Sequence, residues 1–450
     1  MDTASSIAPT HAAARVVLKA RKALPFYGRH PWVLASAVDR VEPISVADEH
    51  LLDIDGQVVD LANEKGKFIA RGLFNSQSRI RVRLYSWSAE EPLDEAFFRR
   101  RLEAAIELRR EIGYEPASRS ESATRLVFSE ADGISGLVVD RYGDYLVVQP
   151  TALAIARRIE SLVGILQELV QPSAVVLKLD RATAELEGIV APEGESRRPG
   201  PLPEGEATIV RQRTDERLQS NIQFPDGHVW GELPDTPIVI REHGLAYEVD
   251  LHAGQKTGLY LDQRENRQAA AKYLRGKRVL DMFCYTGGFA MTAAAVGGAK
   301  EVLGIDGSKR AIAQAVGNAE INGLSNVRFE CSDGFKALDR LIEQGEKFDA
   351  VILDPPKFAR GRGGANQALM AYHRLNRAAV ELLVRGGILL TCSCTGGVSR
   401  EDFLLMLSGV AQKSRRDIRV LEQRGAAPDH PIGATCLETE YLKCMICEIR

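Results

Sequence analysis

The sequence predicts an α/β protein whose C-terminal half is a mainly parallel sheet, preceded by a β-rich unit and a small α+β unit. Three observations carry this expectation. From about residue 236, short apolar runs alternate with longer amphipathic ones, the pattern of strands joined by crossover helices. Residues 15–90 hold only short alternating runs set apart by turn residues, as strands without helices do. Residues 93–183 mix one long amphipathic stretch with strand-like runs. A chain of 450 residues exceeds what one ordinary core encloses, so several units are expected.

In the first unit the runs are Gln57 to Leu61, Phe68 to Leu73 and Ile80 to Leu84. From Lys65 to Ser88 there are six basic residues and no acidic one, which fits either a solvated strand face or a phosphate-contacting surface. In the second unit, Phe97 to Ile112 reads as a helix, with Phe98, Leu102, Ala105 and Ile106 on its apolar side. Strands are expected at Gly136–Asp140, Tyr145–Gln149 and Ser173–Leu179, with a helix from about Ala154 to Val170. Residues 184–235 read as a linker or insertion, because Glu193 to Pro203 is rich in proline, glycine and charge and has no periodicity. The last unit, 236–450, predicts strands at Arg278–Asp281, Val302–Asp306, Val327–Cys331, Ala350–Asp354 and Ile388–Ser393. Helices between them include Lys309–Ile321 and Ala368–Val384.

Composition narrows the class. The chain lacks the run of ~18 apolar residues that a membrane helix needs, and its N-terminus lacks a cationic, then apolar, leader. A cytoplasmic protein is the expectation. The seven cysteines lie between Cys284 and Cys447 without disulfide-framework or zinc-ligand spacing, so no metal is expected. Cys444 and Cys447 read as reduced core thiols. A net charge of −3 argues against a uniformly basic nucleic-acid binder but leaves room for a local patch.

In such sheets ligands sit at the carboxyl ends of the strands. The first strand of the last unit ends in Asp281-Met282-Phe283-Cys284-Tyr285-Thr286-Gly287-Gly288, glycines that let a ligand approach backbone closely. Asp306, nineteen residues after Gly287, ends the second strand, where a carboxylate can accept from both ribose hydroxyls. Asp333-Gly334 follows the third, where a carboxylate can accept from an adenine amino group. Two adenosine cofactors fit: a dinucleotide or S-adenosylmethionine. The G-x-G-x-x-G cradle that a pyrophosphate needs is absent, which leaves S-adenosylmethionine favoured. The series resembles class I methyltransferase motifs, except that Tyr285 stands where many such enzymes carry a glycine. The expected cofactor residues are Phe283, Tyr285, Gly287, Asp306, Asp333, Gly334 and Asp354.

The fourth strand ends Asp354-Pro355-Pro356-Lys357-Phe358, and the fifth ends Thr391-Cys392-Ser393-Cys394-Thr395-Gly396. Enzymes that methylate exocyclic amino groups carry an aromatic where Lys357 stands, so nitrogen methylation is disfavoured. Carbon 5 of a pyrimidine is a poor nucleophile until a thiolate adds to carbon 6. A carboxyl group beside N3 can steady the charge that builds up during addition. Cys394, at a strand end before a glycine turn, and Asp354 would supply those catalytic parts, whereas Cys392 sits inside the strand and reads as packing.

Arg29-His30-Pro31-Trp32-Val33, Ser129 to Leu137 with Val139-Asp140-Arg141, and Gln255 to Arg264 extend the set. With Tyr285-Thr286-Gly287-Gly288-Phe289, Asp354 to Phe358, Ser393-Cys394 and Asp429-His430-Pro431, they resemble a bacterial family of 23S ribosomal RNA cytosine-C5 methyltransferases, from about residue 15 to 450. The resemblance implies a PUA-like β-barrel at 15–90 and a seven-stranded, Rossmann-like class I methyltransferase sheet whose last strand is antiparallel. It also implies Cys394 as nucleophile, S-adenosylmethionine as cofactor and 23S ribosomal RNA as partner, with no membrane and a homodimer left open. RNA contacts are expected at Arg29, His30, Trp32, Arg81 and Lys357. The stretch 191–203 is an insertion relative to the family pattern. Asp429 and His430 are candidates for the base that takes the carbon 5 proton. The rival readings are methylation of a base nitrogen or of uracil carbon 5, and a non-catalytic RNA-binding assembly factor.

Overall fold

The computed structural model describes residues 12–44, 54–114, 121–192, 220–251, 259–359 and 362–450. The proline-rich stretch from 193 to 203 and the first four residues of the Gln255 to Arg264 motif lie outside these residues. None of the helices searched among the described residues is long and apolar enough to cross a membrane.

Alternating Val, Leu and Ile runs form the first sheet from β1 (Ala14–Leu18), β2 (Trp32–Leu34), β3 (Val38–Pro43), β4 (Val58–Ala62), β5 (Phe68–Phe74) and β6 (Ile80–Ser86), with α1 (Leu24–Tyr27) beside it. The order is β2-β6-β5-β4-β1-β3. The Lys19 N–H just beyond β1 donates to the Ala37 carbonyl just before β3 at 2.9 Å, which extends the pairing of these two strands.

The second unit opens with α2 (Glu95–Glu111), whose N-cap Asp94 accepts from the Phe97 N–H. Then follow β7 (Ala123–Phe128), β8 (Leu137–Tyr142), β9 (Tyr145–Pro150), α3 (Leu153–Ala156), α4 (Ile159–Val170), β10 (Ala174–Leu177), α5 (Arg181–Glu187) and β11 (Val229–Gly231). The single helix expected from Ala154 to Val170 is broken, and at the break Arg157 and Arg158 reach the carbonyls of Asp55 and Gly56 in the first unit. The expected linker 184–235 is only partly one, since β11 adds an antiparallel edge to β10. Val58, Leu73 and Tyr85 share one core with Phe97, Phe98, Leu102 and Leu126. The first two units are therefore packed as one body.

A hairpin of β12 (Ile238–Glu242) and β13 (Leu245–Val249) precedes α6 (Arg264–Ala271). The last sheet follows as β14 (Arg278–Met282), α7 (Gly288–Ala295), β15 (Glu301–Asp306), α8 (Lys309–Ile321), β16 (Val327–Cys331), α9 (Gly334–Glu343), β17 (Phe348–Leu353), α10 (Ala365–Leu382), β18 (Leu383–Ser393), α11 (Arg400–Ser414), β19 (Ile418–Arg424) and β20 (Lys443–Ile449). Seven strands lie in the order β16-β15-β14-β17-β18-β20-β19, and β20 runs antiparallel to both neighbours. The order reverses between β14 and β17, so the crevice opens at their carboxyl ends.

Candidate active site

The backbone after β14 is unusual. Phe283, Tyr285 and Gly287 all have positive φ, at 63°, 50° and 86°. The first two are left-handed without being glycine, a strained arrangement that persists where surroundings enforce it. Here the Tyr285 N–H donates to Asp306 Oδ2 at 3.0 Å, and the Ser308 N–H donates to Oδ1 at 2.8 Å. The positive φ at Tyr285 explains why glycine is common there in class I enzymes. A Cβ on Gly287 would meet the Phe329 ring at 2.9 Å, and one on Gly334 would meet the Phe283 ring at 2.5 Å. Neither position has room for a side chain without displacing that ring.

Asp306 is half-buried, and a carboxylate has about four lone-pair positions, so it can accept more than these two amides. Asp333 is exposed, and its Oδ1 caps α9 by accepting from the Lys336 N–H at 3.0 Å. That cap accounts for part of its presence. Asp281 is fully buried, and among the described residues neither carboxylate oxygen has a hydrogen-bond partner of ordinary geometry. Burial, with Asp354 and Asp306 adding to it, pushes its carboxyl well above the usual range, while the Ala290 backbone offsets part of this. A carboxyl raised in this way keeps its proton unless a cation joins it. The buried Asp281 carboxyl and the tight glycine loop fit the ammonium end and the adenosine of S-adenosylmethionine.

Asp354 and Cys394 meet at this crevice. Both bear on the Tyr260 phenol, which burial and then Asp354 push above its ordinary value. The Tyr260 ring lies 5.1 Å from that of Tyr285, edge to face. The Cys394 thiol donates to the Pro355 carbonyl at 3.8 Å. Asp354 Oδ1 accepts from the Gln263 amide at 3.0 Å, and Gln263 Oε1 in turn accepts from Asn266 at 2.7 Å. Asn266 Oδ1 accepts from Arg424 at 3.0 Å. Gln263 and Asn266 are buried, so this chain fixes the direction of the Asp354 carboxyl. Beside Cys394, Tyr372 and Thr395 share a hydrogen bond of 3.0 Å, and Lys443 Nζ donates to the Thr395 carbonyl at 2.9 Å. Cys392 is fully buried opposite Cys444, and Cys447 is buried too, as expected of packing thiols. Lys357 is exposed, and Phe358 turns inward onto Tyr372, ring centroids 4.8 Å apart.

The expected RNA residues divide. Trp32 is half-buried, and its indole N–H donates to Glu130 Oε1 at 2.9 Å in the second unit. His30 faces Glu438 across 3.4 Å. Within the basic run, Arg71 and Arg83 are buried, Arg71 on Asp60 and Arg83 between Glu130 and Glu187. Arg81 is half-buried and donates to the Asn75 carbonyl at 3.1 Å. Arg29, Lys65, Lys67 and Arg79 are exposed. Asp429 is bound into the contact with the second unit, where Oδ2 accepts from Thr124 and from the Arg125 N–H. Although burial opposes it, His430 and Arg264 hold its carboxyl well below the usual range, which makes it a weak base. His30, Cys436 and Glu438 cluster with donor atoms within 4.8 Å. The Trp32 N–H donates to His30 Nδ1, however, which puts the ring proton on Nε2 and aims it at Glu438 rather than a lone pair at a metal.

Residues 217–438 match a family described as S-adenosylmethionine-dependent methyltransferase, and residues 16–87 match a PUA-like domain. The chain is 38% identical over 427 residues to ribosomal RNA large subunit methyltransferase I of Aeromonas hydrophila, covering 94% of this chain and 96% of that one. It is 34% identical over 437 residues to the protein of the same name from Erwinia tasmaniensis, covering 97% and 99%. A solved candidate S-adenosylmethionine-dependent methyltransferase from Streptococcus mutans superposes with a TM-score of 0.75 at 20% identity, covering 96% of this chain and 99% of that one. At that identity the likeness speaks for the fold.

Proposed function

This chain belongs to the ribosomal RNA large subunit methyltransferase I family, and on that premise we propose that it methylates carbon 5 of a cytosine in 23S ribosomal RNA through a covalent adduct with Cys394. The observation that supports this best is the Cys394 thiol on the carbonyl of Pro355, the residue after Asp354, beside the loop that Asp306 pins. S-adenosylmethionine, when bound, supplies an electrophilic methyl group. Asp306 would accept the ribose hydroxyls, Asp333 the adenine amino group, and Asp281 the ammonium, with Phe283, Tyr285, Gly287 and Gly334 shaping the walls.

Cys394 would add to carbon 6 of the base, which makes carbon 5 nucleophilic. Asp354, held by Gln263, would stand at N3 and steady the charge that builds there. Once carbon 5 has taken the methyl group, its proton leaves to water, the carbon 5–carbon 6 double bond re-forms, and the Cys394–carbon 6 bond breaks to free the thiolate. The exposed Arg29, Lys65, Lys67, Arg79 and Lys357 would be among the charges that meet phosphate. Bisulfite-style mapping of 23S ribosomal RNA should show one protected cytosine that loses protection when the protein is deleted. An unchanged map sets cytosine carbon 5 aside.

Asp306→Ala should weaken S-adenosylmethionine binding about ten- to a hundredfold, since a lost hydrogen bond to a charged group is worth roughly 1.5–3 kcal/mol. Calorimetry giving unchanged affinity in a folded variant would refute the ribose assignment.

A further inference from the structure

We propose that Lys443 is a positioning residue for the reaction: its buried ammonium lies beside Cys394 and holds that sulfur as a thiolate. The inference rests on Cys394 being the nucleophile. Lys443 begins β20 opposite Ser393 in the register with β18, one residue before Cys394. It is 1% exposed, in a position where a lysine is rarely tolerated unpaired. Two of its three N–H groups go to neutral acceptors, the Thr395 carbonyl at 2.9 Å and the Tyr441 carbonyl at 2.8 Å. Neither balances the charge, and a buried cation needs a counter-charge.

The neighbourhood points to sulfur as that counter-charge. Burial pushes Lys443 down to about 8, and Cys394 is the foremost group acting against this, followed by Glu440. Arg400 and Lys357 face Lys443 as well and disfavour its charge. Three phenols bear on Cys394 from other elements: Tyr260 from the segment before α6, Tyr372 from α10 and Tyr441 from the approach to β20. Burial raises all three, Tyr372 to about 12, so they stay neutral where the enzyme works. Asp354, which bears on Tyr260 and Tyr372, carries the sign that opposes a thiolate. Lys443, held against the Thr395 carbonyl one residue from the sulfur, supplies a buried positive charge there. On ionisation the thiol proton leaves for water, and the ammonium meets the charge that remains.

The bland alternative is that Lys443 merely ties the end of β18 to β20 through its two carbonyl contacts. The pH dependence of Cys394 alkylation separates the two. Full-length protein is treated with iodoacetamide across a pH series, and the Cys394 peptide is followed by mass spectrometry, with the exposed Cys331 as internal reference. The expected midpoint for Cys394 lies about one pH unit or more below the ordinary thiol value of ~8.5. Lys443→Met should raise it by about one unit, a tenfold slower reaction at neutral pH, and Lys443→Arg should retain part of the lowering. A midpoint in Lys443→Met equal to that of the wild type overturns the proposal. Should Lys443→Met fail to fold, the wild-type profile decides: a Cys394 midpoint at or above that of Cys331 overturns it too. A lowered midpoint with no covalent RNA adduct would reject the nucleophile while leaving the Lys443–Cys394 pairing standing. An adduct with an ordinary midpoint would do the reverse.

Discussion

Cys394→Ala is expected to bring methyl transfer to background while fold and S-adenosylmethionine affinity stay at wild-type levels. The substitution removes the sulfur that would attack carbon 6, and Cys394 is only half-buried at the end of β18, so little packing is lost. The control lies two residues away. Cys392 is fully buried against β20, so Cys392→Ala should cost stability, of the order of 1–2 kcal/mol for a small core truncation, while leaving turnover of the folded fraction intact. Single-turnover methylation with labelled cofactor, beside a thermal melt of each variant, checks both. Robust turnover by Cys394→Ala would defeat the carbon 5 mechanism and promote methylation of a base nitrogen.

The second large effect is on stability. Glu242 in β12 accepts two hydrogen bonds of 2.7 Å from Arg267 in α6, and both side chains are buried. Arg267 also donates to the Tyr260 carbonyl at 3.1 Å and packs against Gly288 in the cofactor loop. Glu242→Ala would leave a guanidinium buried without its counter-ion, a loss of about 3–5 kcal/mol. Burial alone would raise the Glu242 carboxyl, but Arg267 and then Arg264 hold it below its ordinary value of 4.5. Its contribution is therefore full above that unfolded-state value and fades as pH falls through the lower folded-state one. Urea unfolding should show the gap between wild type and Glu242→Ala narrowing in acid. A loss under ~1 kcal/mol at neutral pH would show that water reaches Arg267.

The fold was legible wherever local chemistry acts alone. Ser308 caps α8 by accepting from the Ala311 N–H, and the helix runs from Lys309 to Ile321 as its pattern predicts. The strand ends at Asp306, Asp354 and Cys394 were readable because carboxylates and a thiol break apolar runs just before glycines or prolines. What pattern could not show is who meets whom. Trp32 and Arg83 read as surface groups until Glu130, from another unit, is seen between them. Gln263, Asn266 and Arg424 form one chain behind Asp354 although 158 residues separate Asn266 from Arg424. Lys443 sits in a strand of apolar residues, where a lone lysine reads as a solvent-facing edge residue. Only the antiparallel register with β18 puts it beside Cys394.

The central claim, that Cys394 forms a covalent bond to carbon 6, is tested most directly with a 23S-derived RNA carrying 5-fluorocytosine at the mapped target. Fluorine takes the place of the proton whose loss would release the enzyme, so attack by Cys394 leaves the two joined. With cofactor present, the wild type should give a protein–RNA band that survives denaturation, and digestion should locate the RNA on the Cys394 peptide; Cys394→Ala should give none. A wild type that methylates the unmodified RNA yet forms no adduct, or an adduct that persists in Cys394→Ala, would contradict the account.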